Sequence, residues 1–149
     1  MKNRFFLSAL VILLSAGSAQ AQEKTFQCHV QPMLSLNGNE KSMRQLVNIL
    51  LDNAMKYTSK EGFVALTAQM QNRCILLSVT NTTVDPIEKH QLSHIFDRFF
   101  RMDSSRSSET GGYGIGLSVA KAIVAAHNGK ITASMPECDT LQITAQFPI

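Results

Sequence analysis

Asn53, Lys56 and Tyr57 stand together in the run Leu50-Leu51-Asp52-Asn53-Ala54-Met55-Lys56-Tyr57-Thr58, and their types suit an anionic, oxygen-rich ligand. Apolar residues at Met43, Leu46, Val47, Leu50, Leu51, Ala54 and Tyr57 recur with a 3.6-residue period, which predicts an amphipathic helix. At 100° per residue, Asn53 falls at the edge of the apolar stripe, Lys56 lies beside the same edge, and Tyr57 is back within the stripe. A carboxamide oxygen so placed can ligate Mg²⁺, a hard cation that takes oxygen ligands and keeps several waters. The ammonium beside it can meet a phosphate. The same residues also suit a plainer helix, in which Asn53 bonds nearby backbone and Lys56 is only solvated.

A second group is Gly111-Gly112-Tyr113-Gly114-Ile115-Gly116-Leu117. Its glycines allow close backbone approach, and it opens a helix, whose first N–H groups and dipole favour an anion. A flexible hinge would carry the same glycines. The segment is neither a dinucleotide fingerprint nor a P-loop. No strand runs directly into it, no acidic residue follows at the required distance, and the G-K-[ST] ending is absent. Arg98, Arg101 and Arg106 flank the Ser-rich stretch before these glycines. They could close over a bound phosphate, or be solvated charges on a loop.

The elements that must position these groups follow from pattern and punctuation. Asn39 is a helix N-cap, and its helix runs to about Tyr57. Phe26 to Leu36 is expected to be one strand with an irregularity at Pro32. After a turn at Glu61-Gly62, Phe63–Met70 and Cys74–Asn81 are expected to be two strands joined by Gln71-Asn72-Arg73. A second helix runs from about Gly114 to His127 and stops at Asn128-Gly129. Ile131–Met135 and Leu141–Phe147 form a closing hairpin. A mixed sheet with helices on one face buries this order of elements, giving an α+β fold of two layers.

The 149 residues suffice for one domain, and a net charge of +3 is too mild to imply a nucleic-acid partner. Cys28, Cys74 and Cys138 lack metal-site spacing and are expected to be buried or half-buried thiols. Lys2 and Arg4 precede an apolar run from Phe5 to Leu14, which ends in Ala19-Gln20-Ala21. That is the layout of a secretory signal peptide, too short to span a bilayer. Residues 1–21 are therefore expected to be a signal peptide or a residual membrane anchor, and residues 22–149 the domain.

Taken in order, these segments resemble a known family. LLDNAMKYT resembles the N box of sensor histidine kinases, and IFDRFFRMDSS resembles their F box. GGYGIGLSVAKAIVAAHNGKI resembles their second glycine box with the helix and strand that follow. The resemblance runs from about Gln31 to the C-terminus. It implies the Bergerat-type ATP-binding sandwich shared with type II topoisomerases, mismatch-repair ATPases and the large heat-shock chaperones, here starting late and lacking its first helix. It implies ATP and Mg²⁺ as ligands, with Asn53 on Mg²⁺, Lys56 on phosphate and Tyr57 by the adenine. Phe96 and Phe99 would anchor a lid, with Arg98 and Arg101 at its base near phosphate. Gly112, Tyr113, Gly114, Ile115 and Gly116 would line the phosphates, and Leu117 would sit in the core beneath.

The sequence departs from the family in three places. The family's D-x-G-x-G box is replaced by Asn81-Thr82-Thr83-Val84-Asp85-Pro86-Ile87, so either Asn81 or Asp85 would accept the adenine amino group. Ile49 stands four residues before Asn53, where the family often has a second asparagine. None of His29, His90, His94 and His127 lies in an acceptor-like segment. The resemblance thus implies a kinase domain that passes the γ-phosphoryl of ATP to a histidine outside this chain. Its partners would be a histidine-bearing dimerisation domain in trans and a response regulator, with membrane contact only through residues 1–21 if they are not removed. Two alternatives stand beside it: a non-catalytic remnant of a kinase, and a serine kinase of the anti-sigma type. The chemistry implies the cytoplasmic side of the membrane, whereas residues 1–21 imply export.

Overall fold

The computed structural model describes residues 3–6, 24–84, 86–101 and 114–149. Strand β1 (Asn3–Phe6) is followed by β2 (Thr25–Val30), β3 (Ser35–Gly38), helix α1 (Glu40–Tyr57), β4 (Phe63–Gln71) and β5 (Cys74–Thr82). Then come α2 (Lys89–His94), α3 (Gly116–Ala126), β6 (Lys130–Glu137) and β7 (Thr140–Pro148). Five strands form one mixed sheet in the order β2-β4-β5-β7-β6, and β1 pairs with β3 in a separate two-stranded sheet.

Alternation along the strands decides which face is covered. Val64, Leu66 and Ala68 of β4, Ile75, Leu77 and Val79 of β5, and Leu141, Ile143, Ala145 and Phe147 of β7 are all buried. Their neighbours in sequence point the other way and are mostly Thr, Ser and Gln. Ser78 bonds Thr144 at 2.9 Å there, and the Gln142 amide donates to Thr80 at 3.1 Å. One face is therefore greasy and the other polar, which is what a two-layer fold requires. Helix α1 presses Met43, Leu46, Val47, Leu50, Leu51 and Ala54 onto the greasy face, and α3 adds Leu117, Ala120, Ile123 and Val124. Each leucine so buried contributes about 1.5–3 kcal/mol. The expected mixed sheet with helices on one face is what forms.

Local chemistry sets the element ends. The Asn39 side chain accepts the Ser42 N–H at 3.0 Å and starts α1 as expected. At the end of α3, the Gly129 N–H reaches the Val124 carbonyl and the Asn128 N–H reaches that of Ala125. With Asn128 at φ 55°, this is a Schellman stop. A Cβ on Gly129 would lie 2.5 Å from the Gln146 carbonyl, so the following residue has to be glycine. The β4–β5 hairpin turns on Asn72 and Arg73 at φ 49° and 61°, both left-handed, as a two-residue turn demands. Pro136 falls at a bulge in edge strand β6, where no ladder hydrogen bond is lost.

Two expectations need correction. The segment Phe26 to Leu36 is not one strand: the chain breaks after Val30, passes Met33 at φ 62°, and resumes as β3 in the other sheet. Proline lacks the N–H that a continuous strand would need there. β2 instead runs parallel to β4, from Thr25 opposite Phe63 to Val30 opposite Ala68. Second, Cys28 and Cys138 are exposed, and only Cys74 is half-buried. Cys28 lies on an edge strand and Cys138 at the β6–β7 turn, where side chains find no cover. Outside the expected span of residues 22–149, β1 pairs residue by residue with β3.

Candidate functional site

The site forms where the end of α1, the end of β5 and the start of α3 converge. Asn53, Lys56 and Tyr57 lie half-buried in the last turn and a half of α1. That helix ends on Thr58, whose N–H and hydroxyl both reach the Ala54 carbonyl, the hydroxyl at 2.6 Å. The Lys56 ammonium sits 5.3 Å from the centre of the Tyr57 ring, within cation–π range. Burial pushes this ammonium below the usual lysine range, and the Arg101 guanidinium lowers it further by repulsion. Among the described residues, neither Lys56 nor Arg101 has an ion-pair partner. Two neighbouring cations and a carboxamide, with no acidic partner among the described residues, leave this end of α1 short of negative charge.

Helix α3 supplies the opposite wall. Its first residue, Gly116, comes so close to α1 that an added Cβ would stand 3.5 Å from the Ile49 side chain. Ile49 is one turn before Asn53, so the glycine-led helix start rests on the helix that carries the candidate ligands. The position that the family often fills with a second asparagine here serves helix–helix packing. Ile115 occupies the N-cap without a side-chain cap, and the Ser118 hydroxyl turns back to the Ile115 carbonyl at 2.7 Å. Among the described residues the first N–H groups of α3 have no side-chain cap, and they carry the positive end of the helix dipole. Leu117 is buried beneath, while Ile115 is 39% exposed.

Gly114 ties this wall to the arginine segment. It has φ 67°, and a Cβ on it would meet the Phe100 carbonyl at 2.9 Å and the Phe99 backbone at 3.0 Å. The Phe99 N–H donates to the Gly114 carbonyl at 2.8 Å. The two ends of the 101–113 segment are therefore held together at their base. Phe96 packs against the core, as an anchor should. Phe99 does not: it takes φ 64° and its side chain is 70% exposed, so its backbone rather than its ring does the tying. Arg98 and Arg101 diverge. Arg101 comes up beside Lys56, whereas Arg98 lines a separate hollow of about 290 Å³ with Ser42, Val119, Ala122 and His127. That hollow reaches the first turn of α1, eleven residues or about 16 Å along the helix from Asn53.

The third wall is the end of β5. Asn81 is 2% exposed and lies on the helix-covered face, opposite Val64 and Leu141. Its amide nitrogen donates to the Thr82 carbonyl at 3.0 Å. Thr82 packs against Gly62, where a Cβ would meet the Thr82 hydroxyl at 2.2 Å and the Thr58 methyl at 2.5 Å. Gly62 is a site-supporting residue that the sequence offered only as a turn. Asp85, Gly112, Tyr113 and Arg106 lie outside the described residues.

His127 joins the end of α3 to the start of α1: its Nε2 accepts the Asn39 N–H at 3.1 Å and its Nδ1 donates to the Ile123 carbonyl at 2.8 Å.

Comparison with known proteins agrees with this geometry. Residues 38–149 match the model of the histidine kinase-, DNA gyrase B-, and HSP90-like ATPase family. The signal transduction histidine-protein kinase ArlS of Staphylococcus epidermidis is 34% identical over 126 residues, covering 84% of this chain and 27% of that protein. The chain thus spans about a quarter of the length of the curated relatives it matches. The catalytic domain of histidine kinase ThkA superposes with a TM-score of 0.83 at 22% identity, covering 99% of this chain and 95% of that one. ThkA has also been solved in complex with the response regulator protein TrrA (TM-score 0.80, 22% identity, 99% and 41% covered). Full-length ShkA in complex with AMPPNP gives a TM-score of 0.82 at 21% identity, covering 99% of this chain and 31% of that one.

Proposed function

This chain belongs to the histidine kinase-, DNA gyrase B-, and HSP90-like ATPase family, and on that premise we propose that it binds Mg-ATP between α1 and the start of α3 and delivers the γ-phosphoryl to a histidine outside the chain. The observation that carries the reading is the placing of Lys56, on the last turn of α1, near enough to Arg101 for the two charges to repel, with no ion pair to either among the described residues. A bound polyphosphate would answer both charges. The uncapped start of α3 offers its N–H groups to the same ligand.

Mg²⁺ fits the donor set that remains. Asn53 offers a neutral oxygen at the rim of α1, and the rest of the coordination would come from phosphate oxygens and water, as this cation prefers. Bound there, it would neutralise charge on the transferring group. The protein's own part is positioning. Lys56 and Arg101 would hold phosphate oxygens, and the Gly114–Gly116 backbone would approach them without side-chain obstruction. Asn81 would meet the base with its carboxamide oxygen, since its amide nitrogen is engaged with Thr82. Tyr57 would pack beside that base. Catalysis of this type consists of alignment and charge stabilisation.

The acceptor lies outside the chain on this reading. His127 has both ring nitrogens engaged, and His90 and His94 pair with Glu88 and Asp97. A response regulator is the partner that likeness to the ThkA–TrrA complex supports; the proposal adds a histidine-bearing dimerisation domain in trans, and such a kinase would work on the cytoplasmic side of the membrane. The test is calorimetric titration with AMPPNP, with and without Mg²⁺, using Asn53→Ala as the control. Binding that requires both Mg²⁺ and Asn53 supports the proposal. A folded chain that binds no nucleotide overturns it.

A further inference from the structure

We propose that Asn3–Phe6, which has the sequence of the start of an export leader, is a permanent strand of the domain. The backbone carries the argument. β1 lies antiparallel on β3 over its whole length, with Asn3 opposite Gly38, Arg4 opposite Asn37, Phe5 opposite Leu36 and Phe6 opposite Ser35. β3 is not a peripheral ribbon. Leu34 and Leu36, at 1% and 3% exposure, carry it into the core, and it runs directly into the Asn39 cap of α1. β1 therefore braces the chain that launches the helix bearing Asn53 and Lys56.

A leader and a strand make opposite demands on these residues. A leader leaves the mature protein by cleavage after the small-residue motif, here Ala19-Gln20-Ala21. Cleavage at that point would take β1 away and open one edge of β3, exposing unpaired N–H and C=O groups beside Leu36. The comparison with ThkA adds an independent observation. A superposition that covers 99% of this chain and 95% of that catalytic domain has to include at least part of β1. The equivalent residues of ThkA belong to a kinase catalytic domain. Asn3–Phe6 thus fit the start of this fold as well as they fit a leader, and only the fold gives these four residues a pairing partner. The inference stands whether or not the nucleotide proposal does.

The experiment uses the 149-residue chain in a Gram-negative host, with fractionation, intact-mass measurement and thermal melting. The full chain is expected in the cytosol at its uncleaved mass of 16.4 kDa. Deletion of residues 1–21 is expected to lower the melting temperature by roughly 10 °C, or to make the chain insoluble. Because that deletion could abolish folding, Phe5→Pro serves as the milder variant. It removes one strand N–H and is expected to lower the melting temperature by a smaller amount. Replacing both Lys2 and Arg4 by Glu, which would cripple a leader, is expected to leave the location unchanged. A periplasmic product lacking residues 1–21 would overturn the proposal. So would a deletion variant that melts where the full chain does.

Discussion

Arg101→Gln is expected to stabilise the empty protein while weakening its hold on nucleotide. The reasoning starts from Lys56, whose ammonium is lowered by burial and by the Arg101 charge, so the two cations repel in the absence of ligand. Lys56 is half-exposed, and solvent screens much of that repulsion. Its removal is therefore expected to add no more than about 1 kcal/mol to folding stability, a rise of roughly 2–4 °C in melting temperature. With ATP bound, the same guanidinium would donate a charged hydrogen bond to phosphate, worth about 1.5–3 kcal/mol. Its loss is expected to weaken affinity by about ten- to a hundredfold. The assay is melting of the empty protein paired with calorimetry of the Mg-AMPPNP complex. Opposite signs in the two measurements are the signature. A variant less stable when empty, or one that binds nucleotide as tightly as the parent, would refute the idea that the site stores repulsion for an anion.

Other expectations follow from single contacts. The Lys56 ammonium, followed by NMR, should titrate below 10.5 in the empty protein and move upward when nucleotide binds. Because its folded value is the lowered one, the unfolded chain binds more protons in the interval just below 10.5, so this group makes stability rise with pH there. Gly114→Ala should cost about 1–3 kcal/mol of stability, since it puts a side chain at φ 67° against the Phe100 carbonyl. Gly116→Ala meets only an ordinary contact with Ile49, so its melting temperature should hold or rise while nucleotide affinity falls. His127→Ala removes the acceptor of the exposed Asn39 N–H and should cost about 0.5–1.5 kcal/mol in a melting experiment. Equal melting of parent and variant would remove the latch between α3 and α1 from the account.

How much was legible in the sequence depended on how local the cause was. Helix α1 could be bounded at both ends because Asn39 caps it and its apolar period is unbroken to Tyr57. The stop of α3 at Asn128-Gly129 and the β4–β5 hairpin were legible for the same reason. Long-range pairing was not. Nothing within Phe26–Leu36 says that its first half lies parallel to β4 while its last two residues, Ser35 and Leu36, pair with Phe6 and Phe5. A charged pair before an apolar stretch describes a leader, and nothing in the first six residues names the pairing of Asn3–Phe6 with β3. In the site, residue types and order brought Asn53, Lys56 and the glycines together. The divergence of Arg98 from Arg101 depended on the Phe99–Gly114 tie, which periodicity cannot reveal. Gly62 looked like an ordinary turn because its close neighbours, Thr58 and Thr82, come from other elements.

The central claim is a location, so the most direct measurement is an amide NMR titration of the chain with AMPPNP and Mg²⁺. The account predicts perturbations at Asn53–Thr58, Asn81–Thr82 and Gly114–Ser118, with the polar sheet face around Ser78 and Thr144 unmoved. Perturbations confined to the Arg98–His127 hollow or to the polar face, or none at all in a folded chain, would contradict it.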